Sequence, residues 1–397
     1  MSAAPPIQAA FGNCYCGQTI VITGHTGFKG GWLSLWLLSL GADVHGYSLA
    51  APTDPSLFEM AQLTEVVQHT HGDVRDVARL RSLLHGTRPR FVFHLAAQPI
   101  VSLSYQEPLE TISTNAMGTA ALLEALRSVT WPCVAVMITS DKVYDNVEWS
   151  WGYRETDALG GKDVYSGSKG MAELAIRCYF HSFFSKRHDH PVRLGVARAG
   201  NVIGGGDFAV DRIVPDCVRA WSSHTSVALR SPTATRPWQH VMEPLSGYLA
   251  LGQELAEHDT HHGGAFNFGP CTERSHTVVE LLEDLALLWG LSAEQQPYRI
   301  VDQVPFQESG QLRLNSDKAL LALRWNATLD YRECVGMTGE WYRAVMREKT
   351  DARVMTLAQI ARYEALAAER GLDWCRGNSA ATRSSTSHRE TTPASNR

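Results

Sequence analysis

Two short runs carry the side chains best suited to chemistry. Tyr165-Ser166-Gly167-Ser168-Lys169 sets a phenol and an ammonium four residues apart, so a helix would put both on one face. A nearby ammonium favours the phenolate of a tyrosine, whose reference pKa is about 10, and so suits Tyr165 to act as a base towards an alcohol hydroxyl near neutral pH. Upstream, Thr139-Ser140-Asp141-Lys142 offers a hydroxyl, a carboxylate and a second amine. Ser140 can hydrogen-bond the hydroxyl that Tyr165 deprotonates. A third run, Thr23-Gly24-His25-Thr26-Gly27-Phe28-Lys29-Gly30, has the spacing G-x-x-G-x-x-G. Gly24 permits a tight turn, Gly27 a close approach of backbone to a pyrophosphate, and Gly30 the packing of a helix on a strand. The amide dipoles of that helix would face the phosphate charge. Y-x-x-x-K alone is common by chance; its meaning comes from the glycine turn and the polar strand end that accompany it.

These residues need a frame, and the chain supplies one. Thr19 to Thr23 reads as a buried strand, followed by the glycine turn and the apolar segment Trp32 to Leu40. Further strands are read at Val44 to Leu49, Phe91 to Leu95, Val134 to Ile138 and Val192 to Ala199. Helices are read at Val77 to Leu84, Thr119 to Arg127 and Asp163 to Phe184. Such alternation predicts an α/β fold, a Rossmann-type doubly wound parallel sheet, with a smaller mixed domain beside it. The expected division is a leader over 1–18, a dinucleotide domain over 19–200 and a substrate domain mainly over 201–345. Returns to the sheet are expected near 236–268, terminal helices over 346–376 and a disordered tail over 377–397, which is Ser, Thr, Asn and Arg without apolar period.

The second strand ends Tyr47-Ser48-Leu49 with no acid to take ribose hydroxyls and no Arg to take a 2′-phosphate, and the balance favours NAD. Asp73 is a candidate for the adenine amino group. Asn201 and Arg236 are candidates for a substrate diphosphate, the guanidinium through bidentate bonds. Asn115 stands at a helix start near the expected site. His94 is expected to pack beneath the glycine turn. Composition narrows the field further. Lys plus Arg total 36 against 41 Asp plus Glu, a net charge of −5, which argues against duplex binding. No apolar run reaches the roughly 18 residues of a spanning helix, and Met1 to Ala10 lacks a signal-peptide pattern, so a cytoplasmic protein is expected. The 8 cysteines are too sparse for a disulfide scaffold, and no metal site is expected.

The chain resembles the extended short-chain dehydrogenase/reductases, and within them the NAD-dependent CDP-glucose 4,6-dehydratases of bacteria. The resemblance runs from about Thr19 to Arg343. It is carried by Gly24 to Gly30, His94-Leu95-Ala96-Ala97-Gln98-Pro99, Thr139 to Lys142, Tyr165 to Lys169, Ala197 to Asp207 and Arg236-Pro237-Trp238-Gln239-His240-Val241. It implies loss of water from CDP-D-glucose to give CDP-4-dehydro-6-deoxy-D-glucose, an entry to the dideoxy sugars of cell-surface polysaccharides such as O-antigen. It also implies Gly24, Thr26, Gly27, Phe28, Gly30, Asp73, Leu95, Ala96, Ala97, Tyr165 and Lys169 as cofactor contacts. Gln98, Asn115, Ser140, Asn201 and Arg236 are implied as substrate contacts. In this pattern Asp141 is the general acid for the departing hydroxyl. Lys142 stands where dTDP-glucose dehydratases have Glu as the C5 base. Ser140 stands where many relatives have Thr. The family pairs subunits through two helices each, here about Thr111–Arg127 and Asp163–Phe184, so a homodimer or dimer of dimers is expected. A dehydratase for another sugar nucleotide and a 4-epimerase are the alternatives, although an epimerase has no use for Asp141 and Lys142. A cofactor-binding sensor without catalysis would be expected to have lost Tyr165 or Lys169.

Overall fold

The computed structural model describes residues 10–270, 276–292, 294–301 and 311–375. The β-branched run Thr19–Thr23 forms β1. Asp43–Ser48 (β2), Gln68–His71 (β3), Phe91–His94 (β4), Cys133–Ile138 (β5), Val192–Ala199 (β6) and Ala265–Phe268 (β7) complete one sheet. Its spatial order is β7-β6-β5-β4-β1-β2-β3, and each neighbouring pair is parallel. The chain therefore builds outward from β1 in one direction and, from β4 on, in the other. The point of reversal lies between β1 and β4, and a crevice at the carboxyl ends of strands at such a point is where doubly wound sheets bind ligands.

Both faces of the sheet are covered. Ile20 and Ile22 point into one apolar layer with Trp32, Trp36 and Leu249, while Val21 between them points into the other with Leu122, Leu126 and Ile176. That is the two-residue alternation of a strand buried on both sides. The longer helices are α1 (Phe28–Ser39), α2 (Val77–Thr87), α3 (Gly118–Leu126), α4 (Val164–Tyr179), α5 (Ile213–Ser222), α6 (Met242–Glu257), α7 (Val278–Trp289), α8 (Tyr331–Tyr342) and α9 (Ala352–Glu369). Asp163 caps α4 by accepting from the Ser166 N–H at 2.9 Å, which fixes where the helix bearing Tyr165 begins.

Beyond β6 short ladders replace long strands. Val202–Ile203 pairs in parallel with Gln239–His240, Val227–Leu229 in parallel with Tyr298–Ile300, and Thr235–Arg236 antiparallel with His276–Thr277. Three features differ from expectation. β3 has no counterpart in the predicted strands, because Gln68-His69-Thr70-His71 is an exposed polar edge with no apolar alternation to betray it. The expected long helix over Asp163–Phe184 ends as an α-helix at Tyr179 and continues as a π turn over Phe180–Phe184. The leader, described from Ala10 on, is part of the core. Phe11 stacks on Trp374 with ring centroids 4.9 Å apart, and the Tyr15 hydroxyl donates to the Leu249 carbonyl at 2.6 Å. The expected disordered tail over 377–397 lies outside the described residues. Among the described residues no helix is long and apolar enough to cross a membrane, and no cluster of His, Cys, Asp and Glu could hold a metal ion.

Candidate active site

The glycine turn closes β1 onto α1 with little room to spare. Gly24 has φ +79°, and a Cβ there would lie 2.6 Å from the Ala96 nitrogen. A Cβ at Gly30 would lie 2.2 Å from the Gly24 carbonyl oxygen. Only glycine allows the turn to sit this close to β4 and leave the first amides of α1 facing outward for a phosphate. Beneath it, His94 Nδ1 bonds Thr23 Oγ1 at 2.7 Å and its Nε2 bonds Thr119 Oγ1 at 3.1 Å. Burial pushes this imidazole down to about 3, so it is a neutral strut between β1, β4 and α3.

The outer part of the dinucleotide crevice departs from expectation in two places. Thr26 Oγ1 is spent on Ser48 Oγ at 2.7 Å and the Leu49 carbonyl at 3.2 Å, which ties the turn to β2 and leaves its main chain to face a ligand. Asp73 is clasped by Arg75, with Nη2 to Oδ2 at 2.6 Å and Nε to Oδ1 at 2.9 Å. Hydrogen bonds from this guanidinium hold the carboxyl below its usual range. Arg75 also reaches Glu110 at 2.7 Å, so its charge is already matched. The cradle fits a dinucleotide such as NAD.

The catalytic candidates converge at the carboxyl end of β5. Ser140, Asp141, Tyr165 and Lys169 are all buried. The Ser140 hydroxyl donates to Asp141 Oδ1 at 2.9 Å. Burial raises Tyr165 to about 12, while the Ser140 contact and the Arg212 charge act to lower it. Burial pulls Lys169 down to about 8 against the charge of Glu173 one turn along α4. Asp141 Oδ2 is buried and has no hydrogen-bond partner. Lys142 is half-buried, and its backbone N–H donates to Ser140 Oγ at 3.3 Å.

Not every expected substrate contact is free for a substrate. The Asn115 amide accepts from the Gln98 N–H at 2.8 Å and donates to the Gln98 carbonyl at 3.1 Å and Ser168 Oγ at 2.8 Å. It braces α4 against the loop after β4 instead of facing a ligand. The Gln98 side chain is likewise occupied, donating to Thr111 Oγ1 at 2.8 Å and accepting from the Ile100 N–H at 2.5 Å. Asn201 follows β6, and Arg236 lies half-buried in its ladder, where it donates to the Thr235 carbonyl at 3.0 Å. A cleft of about 570 Å³ opens beside Arg236, lined among others by Arg230, Thr233, Thr235 and Gln311. None of the catalytic candidates lines it.

Several residues of the site escaped the sequence reading. Lys29 stands inside the glycine run, yet drew no role. Burial and the Arg212 charge pull its ammonium down to about 7, against Asp141 and Asp207. Arg212 pairs with Asp207 at 2.7 Å across from it, and no spacing rule ties a loop arginine to a turn more than 180 residues away. Behind α4, Arg198 pairs with Glu173, whose Oε1 accepts from Arg198 Nε and Thr139 Oγ1, each at 2.7 Å. Both side chains are buried, so this pair clamps the catalytic helix to β5 and β6.

A family model described as GDP-mannose 4,6 dehydratase matches residues 21–338. A relative from Salmonella typhimurium named CDP-glucose 4,6-dehydratase is 44% identical over 359 residues, 88% of this chain and 97% of the relative. A dTDP-glucose 4,6-dehydratase of Xanthomonas campestris is 24% identical over 347 residues, 82% of this chain and 93% of its own. Among solved structures, the UDP-glucose 4-epimerase of Thermotoga maritima has a TM-score of 0.70 at 19% identity, covering 83% of this chain and 100% of that one. The dTDP-glucose 4,6-dehydratase DesIV of Streptomyces venezuelae, with NAD and TYD bound, has a TM-score of 0.67 at 22% identity, covering 82% and 97%. These two structures share the α/β fold.

Proposed function

We infer the reaction of this chain from its kinship: it belongs to the GDP-mannose 4,6-dehydratase family of the extended short-chain dehydrogenase/reductases. The activity is that of a hydro-lyase, dehydration of CDP-D-glucose to CDP-4-dehydro-6-deoxy-D-glucose. The cytidine specificity rests on the Salmonella relative and its extent of identity. The observation that carries the reaction is the burial of Tyr165, Ser140 and Asp141 at the end of β5, a base, a hydroxyl and an acid, with the serine hydroxyl bonded to the Asp141 carboxylate.

NAD, when bound, supplies the redox chemistry, taking hydride from C4 and returning it to C6. The chain's own groups handle protons. Tyr165, beside the Lys169 ammonium, receives the proton of the C4 hydroxyl, and Ser140 orients that hydroxyl. The resulting ketone acidifies C5, from which Lys142 takes the proton. Asp141, through its unpartnered Oδ2, protonates the departing C6 hydroxyl, which leaves as water. Lys142 then returns a proton to C5. A 4-epimerase would not need an acid at Asp141, and its buried free oxygen favours the elimination.

The subunit pairing also belongs to this reading. Leu109 is 80% exposed and Met117 60%, and Met171 and Leu174 on α4 are exposed as well. Four large apolar side chains on adjacent helices form a face that a second copy of this chain would cover. The test of the activity is incubation with CDP-glucose in the presence of NAD, followed by the alkali-induced absorbance of a 4-ketosugar. UDP-, dTDP- and GDP-glucose serve as competitors in parallel. Product from CDP-glucose is expected; product only from another nucleotide sugar would reassign the specificity, and none from any would reject the dehydratase.

A further inference from the structure

The glycine turn runs into one charged side chain, and the proposed steps give it no part. Lys29 is the second residue of α1, directly after the turn whose amides face a phosphate, and it is half-buried. Trp32 lies three residues on, so both side chains leave the same face of α1. The Trp32 indole donates to the Gly205 carbonyl at 2.8 Å, and a Cβ at Gly204 would lie 3.2 Å from Phe28 Cζ. The face that carries Lys29 is therefore turned to the loop after β6. In that loop Asp207 accepts from the Ala209 N–H at 3.1 Å with one oxygen and from Arg212 at 2.7 Å with the other. Asp141, the second carboxylate near Lys29, has Oδ1 on Ser140 and Oδ2 on nothing. Among the described residues Lys29 has no hydrogen bond and no ion pair. An ammonium that loses water and gains no counter-charge is destabilised, and the nearby charges of Arg212 and Lys169 add to that.

We infer that Lys29 is the charged contact for the diphosphate of the bound dinucleotide, adding an ammonium to the neutral backbone donors of the glycine turn. The diphosphate supplies the counter-charge that the protein does not. The helix amides and the ammonium come from one short stretch of chain, so both can meet the same group without further folding. The contact also has a proton signature. Burial and the Arg212 charge hold Lys29 at about 7, and an anion beside it favours the charged form. Cofactor binding above neutral pH therefore takes up a proton at Lys29. The charged groups that face it are Asp141, Asp207, Arg212 and Lys169. The inference concerns the cofactor alone and holds whichever sugar nucleotide is the substrate.

Calorimetric titration of the full chain with NAD tests this, with ADP-ribose, adenosine and CDP titrated in parallel. Lys29→Met keeps the length of the side chain and removes its charge. It should weaken NAD and ADP-ribose by about tenfold or more, the loss of one charge-assisted hydrogen bond, and leave adenosine and CDP unchanged. Lys29→Arg should restore most of the lost affinity. Repeating the NAD titration at about pH 8 in buffers of different ionisation enthalpy counts the protons taken up. Uptake should be larger in the unsubstituted chain than in Lys29→Met, which has no group to charge, or in Lys29→Arg, whose guanidinium is charged from the start. Unchanged NAD affinity in Lys29→Met, or equal uptake in all three chains, would overturn the inference. A loss confined to CDP would overturn it too, by giving the ammonium to the substrate's diphosphate, and so would an equal loss for adenosine, which would mean that the turn itself had shifted. No arm reads formation of a 4-ketosugar, so rejection of the dehydratase reading would leave this inference standing.

Discussion

Asp141 and Glu173 are both buried carboxylates, one at the front of the catalytic helix and one behind it, and they are solvated in opposite ways. Glu173 meets a guanidinium and a threonine hydroxyl. Asp141 has one oxygen on Ser140 and the other on nothing. A third buried acid, Glu243 on α6, lies far from the site in sequence and is held by neutral donors alone. These are the N–H groups of Thr328, at 2.9 Å to Oε2, and Leu329, at 2.6 Å to Oε1, and the Tyr363 hydroxyl at 2.9 Å. A fully satisfied buried acid holds the structure together, whereas one left with a bare oxygen costs stability and is free to exchange a proton. The contrast marks Glu173 and Glu243 as architecture and supports the proposed chemical role of Asp141.

Glu173→Ala should break the comparison most severely. It leaves Arg198 buried without its partner, and breaking a buried pair from one side costs about 3–5 kcal/mol. Equilibrium unfolding in urea should show that loss, and an unchanged midpoint would remove the clamp. Tyr165→Phe should act at the front alone: turnover falls by about 10² or more for loss of a general base, with unfolding unaltered. Near-normal turnover would take Tyr165 out of the mechanism.

Glu243 sharpens the comparison through pH. Burial raises its carboxyl from 4.5 to about 7, so the folded chain binds a proton that the unfolded chain has released. Its contribution to stability is therefore greatest below the unfolded value and is lost as pH rises towards the folded one, about 2 kcal/mol between pH 5 and 7. Urea unfolding at the two pH values should show that fall in the unsubstituted chain and not in Glu243→Gln. The smallest expected effect is that of Lys142→Ala. C4 should still be oxidised, but product formation should fall about tenfold, with reduced cofactor accumulating and exchange of C5 with deuterated solvent slowed to match. Exchange at the unsubstituted rate would pass the C5 proton to another group, and the half-buried Lys29 would be the first to test.

Local sequence rules reached much of this molecule. The strand–turn–helix at Thr19 to Gly30 and the i, i+4 pair of Tyr165 and Lys169 follow from periods that one or two turns of chain enforce by themselves. A sheet buried on both faces also announces itself, because each of its central strands must be apolar throughout. β3 lacked that signal, since an edge strand is held by its backbone bonds to β2 and places no demand on side chains. Phe11 and Tyr15 lacked it too, since two aromatic residues in a short irregular segment show no period, and what meets them is Trp374 and the Leu249 carbonyl, both more than 200 residues away along the chain.

For the site, the sequence by itself determined which residue types were available and which of them shared a strand end or a helix face. Only the tertiary structure decided what each was free to do. Asp73, Thr26, Gln98 and Asn115 had side chains fit for a ligand, and folding gave those side chains partners within the protein. Lys29, Arg212 and Asp207 came together because the β1–α1 turn and the loop after β6 meet over the carboxyl ends of the strands. The physical reason is that spacing along a chain fixes direction only over one or two turns, while the partner of a polar group is whatever the packed core brings within 3 Å or so.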